Sequence, residues 1–239
     1  MIPEIFEREA LLIGEENLCK LMNSSVMIFG VGGVGSYVVE GLVRAGIGRI
    51  IAVDNDVVSI TNINRQLIAD TTTVGIAKTE AARSRAIKIN PLIDFVCEKV
   101  FVMPDNADEL IKHYMPDYIV DAIDTVSAKI AIIESADKLG IKIISSMGTG
   151  NKLEPERLRI ADIYKTSVCP LARVMRKELK ARGIKGLNVL YSDEDPIRCA
   201  DGSAPVVKDN GRNAPGSISF VPSAGGLIIA SKVVRDIIN

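Results

Sequence analysis

Glycines 30, 32 and 35 in "VMIFGVGGVGSYVVEGL" (26–42) satisfy G-x-G-x-x-G between a strand-like apolar run and a helix-like one. That spacing ends a strand in a tight turn and hands an anionic ligand to a helix N-terminus. Gly32 lets a phosphate approach the backbone, Gly35 lets the helix sit close to the strand, and Gly33 adds a further position without a β-carbon. Asp54 follows Gly35 by 19 residues, at the end of "RIIAVDND", where a carboxylate meets ribose hydroxyls. Together these residues point to a nucleotide. The alternative is a strand-to-helix turn that needs glycine only for packing.

The residues that follow favour phosphate chemistry over hydride chemistry. "NDVVSITNINRQL" places Asp56, Asn62, Asn64, Arg65 and Gln66 in a loop beside the same nucleotide edge, and Lys78 follows in "GIAKTEAARSRA" near the start of a helix. Arg65 and Lys78 together could neutralise a triphosphate. Either alone reads as a solvated surface cation, but their order after the glycines and Asp54 favours the phosphate role. A further strand-like run, "DYIVDAIDTVSAK", ends in Asp121 and Asp124. Asp124 is the candidate ligand for a Mg²⁺ bridging the phosphates, or else a cap for a helix starting near Ser127.

Positioning such a site requires an open sheet. Strands are expected at 25–29, 49–53, 93–97, 118–123 and 141–145, with helices near 34–45, 75–89, 106–113 and 127–139. That alternation predicts an α/β fold, a doubly wound (Rossmann-like), mostly parallel sheet. The chain reads as one domain, residues 1–150 forming the nucleotide-binding core and 151–239 an extension. In the extension a basic helix is expected at 170–182, a Gly/Pro-rich segment at 183–216, then a strand and a helix at about 223–237.

Composition narrows the options. With 239 residues, 47% of them hydrophobic, the chain can bury a substantial core. A net charge of −1 means that any polyanionic partner needs a local patch. Four scattered cysteines (Cys19, Cys97, Cys169, Cys199) form no C-x-x-C pair and His113 is the single histidine, which disfavours a paired-cysteine zinc site and most Ser-His or Cys-His pairs. The thiols read as reduced, suiting a cytoplasmic protein. No signal peptide is expected at "MIPEIFEREALLIG", and residues 213–231 are uncharged but too interrupted by Pro215, Pro222 and Gly-Gly to span a membrane.

In order and spacing, "GVGGVGSYVVEGLVRAGIG", "VDNDVVSITNINRQ", "GIAKTEAA", "INP" and "DAIDTVSAK" resemble the adenylating family that includes ThiF, MoeB, HesA and the ubiquitin-activating enzymes, over roughly residues 6–150. The resemblance implies ATP bound with Mg²⁺, attack by a substrate carboxylate on the α-phosphate, release of pyrophosphate, and an acyl-adenylate. It implies phosphate contacts at Gly32 and Gly33 within the Gly30–Gly35 turn, ribose at Asp54, phosphates at Asn62, Arg65 and Lys78, and the metal at Asp124. Asp56 and Gln66 complete the nucleotide site. Arg8, in "FEREALLIG", matches a family arginine that reaches into the neighbouring subunit's site, so a homodimer is implied.

Members that activate sulfur carriers usually bear paired C-x-x-C ligands, absent here. Instead, "SSMGTGNKLEPERLRIADIYKTSVCPLARVMRKELKARGI" and "VLYSDEDP" resemble the branch that dehydrates threonylcarbamoyladenosine in tRNA. Where that branch leads one to expect an aspartate before "PLAR", this chain has Cys169, either a thiol nucleophile at a helix start or a small core residue. A tRNA partner also suits residues 152–185, whose ten cations against four carboxylates give a local charge of +6. On "PLARVMRKELKAR", Leu171, Val174, Met175 and Leu179 are expected to form the apolar face, leaving Arg173, Arg176, Lys177 and Lys180 for tRNA phosphates. The alternative there is a merely solvated basic helix. Two other functions fit the same core: a sulfur-carrier-protein adenylyltransferase acting on a small ubiquitin-like protein, and a non-enzymatic nucleotide-binding partner of a sulfur-transfer protein.

Overall fold

Val26–Phe29 and Ile50–Val53 are unbroken apolar runs, buried throughout, as strands covered by helices on both faces must be. The computed structural model describes residues 2–197 and 215–239. Its seven strands are β1 (Ser25–Phe29), β2 (Arg49–Val53), β3 (Asp94–Glu98), β4 (Tyr118–Asp121), β5 (Lys142–Ser146), β6 (Leu158–Asp162) and β7 (Asn188–Ser192). They form one sheet in the order β3-β2-β1-β4-β5-β7-β6, parallel except for β6, which runs antiparallel to β7 at the edge. The order reverses between β1 and β4, the switch point at which an open α/β sheet leaves a crevice at its carboxyl ends.

Helices cover both faces: α1 (Glu7–Ile13), α2 (Glu15–Met22), α3 (Gly35–Arg44), α4 (Lys78–Ile89), α5 (Ala107–Tyr114), α6 (Val126–Leu139), α7 (Pro170–Ala181) and α8 (Phe220–Ile238). The strand period of two divides the core. Val26, Ile28, Ile50 and Ala52 face a cluster shared with α3, α4 and α8, whereas Met27, Phe29, Ile51 and Val53 face one shared with α5 and α6. A third cluster joins α6 and α7 to β7. No helix among the described residues is long and apolar enough to cross a membrane.

The first five strands and their helices fall within a few residues of the positions the sequence predicts, and the doubly wound class holds. Two differences lie beyond residue 150. Among the described residues 215–219 no strand precedes α8; the helix itself starts at Phe220, and its Val221 is fully buried. The short alternation at 217–221 yields to packing of α8 on α3. A β-carbon on Gly226 would lie 2.5 Å from the carbonyl oxygen of Val34, and one on Gly41 2.7 Å from Ala230, so the two helices approach at glycines. The second difference is the pair β6 and β7, which extends the same sheet. β7 lies within the stretch read as a Gly/Pro-rich segment, of which residues 198–214, with Cys199, fall outside the described residues.

Candidate active site at the β1/β4 switch point

The glycine turn is built from the end of β1 outward. Gly30 takes φ +88°, open to glycine without strain, and a β-carbon there would meet Ala122 O at 2.8 Å; one on Gly35 would lie 1.8 Å from Gly30 O. These two glycines let the turn close against the end of β4 and let α3 begin on top of β1. Gly32 is open in the other direction, where a β-carbon would meet only the Gln66 amide at 3.8 Å. The backbone amides of Gly32, Gly33 and Val34 donate to no acceptor among the described residues. They form the unsatisfied positive end of α3, a place for an anion. Behind the turn, Pro222 of α8 stands 3.2 Å from the position a Gly33 β-carbon would take.

Asp54, at the end of β2, accepts from Val31 N–H at 2.7 Å through one oxygen and from Asp56 N–H at 2.9 Å through the other. Burial pushes its carboxyl above the ordinary aspartate value, while Lys78 and the two N–H groups pull the other way. Lys78 opens α4, with its ammonium 2.6 Å from Asp56 Oδ2 and 4.0 Å from Asp54 Oδ1. The ribose acid and the phosphate cation of the sequence analysis are thus neighbours.

The loop at 59–69 folds over the turn. Leu67 N–H donates to Ser36 Oγ at 3.1 Å, and Asn64 Nδ2 donates to Ser217 O at 3.0 Å. Arg65 is half-buried and donates to Thr61 O and Asn64 Oδ1 at 2.7 and 2.9 Å, with no carboxylate paired to it among the described residues; burial lowers its pKa. Gln66 is 6% exposed, and its Oε1 has no partner among the described residues. An amide so placed beside the open side of Gly32 awaits a polar ligand. Asn62 is buried, and its Oδ1 accepts from Ser59 N–H at 3.0 Å in a capping box, which leaves only its amide N–H₂ for phosphate.

Asp124 lies three residues past the end of β4, in the loop that touches Gly30, and Thr125 rather than Asp124 is the N-cap residue of α6. What fixes this loop is an ion pair for which the sequence analysis assigned no role. Lys129 and Asp121 are fully buried, Nζ to Oδ2 2.9 Å, and Lys129 also donates to Ile123 O and Ser146 O at 3.1 and 2.9 Å. Ser145 Oγ completes the cluster with a 2.6 Å bond to Asp121. A lysine flanked by Ala128, Ile130, Ile132 and Ile133 was the available signal, since such a cation is either a break in the apolar face or a buried partner.

Other candidates sort differently. Cys169 is 2% exposed, packed in the apolar cluster of α6 and α7, and so is a core residue rather than an accessible nucleophile. The apolar face of α7 is Ala172, Met175 and Leu179; Val174, expected within it, is 44% exposed. Arg173, Lys177 and Lys180 are exposed as expected, but Arg176 is half-buried and donates to Thr166 O at 3.0 Å, which draws it off the basic face. Ala172 rather than Val174 takes the inward position, fully buried in the cluster of α6, α7 and β7. Arg8 is exposed on α1, which packs chiefly on α2, and is not part of this protomer's turn.

Comparison with known proteins agrees with this geometry. The model of the ThiF family matches residues 6–234. The tRNA threonylcarbamoyladenosine dehydratase of Bacillus subtilis (strain 168) is 42% identical over 241 residues, covering 98% of this chain and 94% of that protein. Crystal structures of the E. coli tRNA N6-threonylcarbamoyladenosine dehydratase superpose with TM-scores of 0.87 in complex with ATP and 0.88 with AMP. Both are 30% identical, covering 98% and 99% of this chain and 93% and 96% of the E. coli chains.

Proposed function

The chain belongs to the ThiF family, and on that premise we propose that it is an ATP-dependent tRNA threonylcarbamoyladenosine dehydratase. One observation carries the adenylation chemistry. At the switch point, three amides at the start of α3 that donate to no acceptor among the described residues lie beside half-buried Arg65, whose Cγ comes 3.8 Å from the position of a Gly33 β-carbon and which pairs with no carboxylate among the described residues. Such a cradle suits a polyphosphate better than a nicotinamide. Likeness along nearly the whole chain to the B. subtilis dehydratase supports tRNA as the carrier of the reacting carboxylate.

In the reaction, a carboxylate oxygen of the threonyl group attacks the α-phosphorus of ATP, the bond to the bridging oxygen breaks, and pyrophosphate leaves. A nitrogen of the same side chain then attacks the acyl carbon, loses its proton and expels AMP. This closure is intramolecular, which removes most of its entropic barrier. Asp54 orients the ribose, the α3 amides and the Gln66 Nε2 group, which lies toward Gly32, donate to phosphate oxygens, and Arg65 and Lys78 offset charge that grows on the leaving pyrophosphate. Asp124 would hold the Mg²⁺ that accompanies ATP, an ion that supplies further charge neutralisation. Among the described residues no cluster of three His, Cys, Asp or Glu could hold a metal alone. Mg²⁺ commonly takes one or two carboxylates together with substrate phosphates, which fits this donor set.

A homodimer belongs to the same proposal, since Arg8 sits on α1 beside the outward-facing Leu11 and Leu12, 89% and 85% exposed. ATP–pyrophosphate exchange tests the function. Exchange should require tRNA bearing threonylcarbamoyladenosine and be indifferent to small carrier proteins with C-terminal glycine. Exchange that follows a carrier protein instead would make the chain a sulfur-carrier adenylyltransferase.

A further inference from the structure

Next to Asp124 the surface opens into a cleft of about 910 Å³ between α6 and α7. One wall is the α6 stripe Ser127, Ile130, Ala131 and Glu134, and the other is the α7 stripe Val174, Glu178 and Arg182. Both follow helical spacing, so each wall is a single helix face. From Ser127 to Glu134 the α6 wall runs about 10 Å. Phe101, an aromatic ring left 53% exposed, also lines the cleft. At the far end Arg182 is held by Glu178 at 2.7 Å and by Glu134 at 3.6 Å.

We propose that this cleft receives the modified adenine, extruded from its tRNA strand, with the threonyl carboxylate directed toward Asp124. The inference rests on the dehydratase reading and adds the subsite. Three observations carry it. First, the reacting carboxylate is joined to the adenine by only a few bonds. When it reaches the α-phosphate beside Asp124, the base must lie in adjoining space, and the cleft adjoins Asp124. Second, the lining suits this base. Ile130, Ala131 and Val174 give apolar walls, and Phe101 gives a ring on which an unstacked base can lie. An adenine acylated on N6 offers ring-nitrogen acceptors along its edges, and Arg182 brings donors held in place by two carboxylates.

Third, α7 serves both parts of the substrate. Arg173 and Lys177 precede the cleft-facing Val174 and Glu178 by one residue each, which is about 100° around the helix. A strand whose phosphates lie on Arg173, Lys177 and Lys180 therefore has its extruded base beside the cleft. The ATP ribose is directed elsewhere, because Asp54 ends β2, on the other side of β1 from β4.

The test uses the full chain with Val174→Trp, which fills the cleft from a largely exposed position, and Phe101→Ala, which removes the ring. Three quantities are measured for each: kcat/KM with modified tRNA at saturating Mg·ATP, ATP affinity by calorimetry, and affinity for the same tRNA lacking the modification. Each variant should lose roughly tenfold or more in kcat/KM. Affinities for ATP and for unmodified tRNA should stay within about twofold of wild type. Undiminished kcat/KM in the Val174→Trp protein would overturn the proposal. So would a matching fall in ATP affinity, which would assign the cleft to the base of ATP. Failure of the dehydratase reading looks different, as the wild-type protein would then leave modified tRNA unchanged.

Discussion

Lys78 is asked to serve ATP from a position where it is already paired, with Asp56 at 2.6 Å and Asp54 at 4.0 Å. Arg65 pairs with no carboxylate among the described residues, so the two cations should fail differently when removed. Arg65→Ala should cost about 2–4 kcal/mol of transition-state stabilisation, comparable to losing an oxyanion donor, with little change in melting temperature. Lys78→Ala should lose activity to a similar extent and also melt earlier, because it strands the largely buried Asp54. Single-turnover rates and thermal melts of both proteins decide this, and near-normal rates in both would misplace the site. Asp54 adds a pH dependence. Burial raises its pKa above the ordinary aspartate value, so the folded state binds its proton more readily than the unfolded state. Stability from this group is therefore complete below the unfolded value and is lost as pH rises through the folded one. Urea unfolding between about pH 3 and 7 should show this decline in wild type and not in Asp54→Asn, where the titrating group is gone. Gly30, Gly32, Gly35 and Asp54 were legible in the sequence because their spacing encodes a backbone shape. The missing partner of Gln66 and the buried Lys129–Asp121 pair were not, since burial depends on what the other strands bring alongside.

At the scale of elements, α7 together with its C-cap residue Arg182 carries three different faces. Ala172, Met175 and Leu179 pack inward, Val174, Glu178 and Arg182 line the cleft, and Arg173, Lys177 and Lys180 face solvent. Sequence periodicity located the helix and its basic character but rotated its apolar face, because Ala172 and Val174 are both apolar in the sequence and only the packing against α6 shows which is buried. The solvent-facing cations and Arg176 can be told apart by measurement. Replacing Arg173, Lys177 or Lys180 by Gln should weaken tRNA binding and reduce the slope of log affinity against log salt, by about 0.7–0.9 for each phosphate that is no longer neutralised. ATP affinity should hardly change. Arg176→Gln should leave the salt slope nearly unaltered and instead lower the melting temperature, since its guanidinium is bonded to Thr166 O. Equal slopes across all four variants and wild type would mean that this face is ordinary solvated surface.

At the scale of the whole molecule, β1 to β5 were legible because each carries an apolar run that alternates with a helical pattern, whereas β7, parallel to β5, lies among the glycines of the extension and was not. The edge was not: β6 mixes Arg159 and Asp162 with Leu158 and Ile160, as a strand half in water does. Such a run gains its register only from β7. At the N-terminus, Ile5, Leu11 and Leu12 turn large apolar side chains outward around Arg8, more apolar surface than two short helices need to expose singly. If a second copy covers this patch and Arg8 reaches the neighbour's glycine turn, as the family resemblance implies, each site draws residues from two chains. Hybrid dimers test the arrangement. Arg8→Ala removes the residue given to the neighbour, whereas Asp124→Ala removes one kept at home, so mixing the two inactive proteins should create one intact site in each hybrid. With random exchange half of the dimers are hybrids, and activity should return to about a quarter of the wild-type level per site, on the statistics of subunit pairing in a two-fold assembly. If subunit exchange is verified by mass and no activity returns, Arg8 acts within its own chain or not at all.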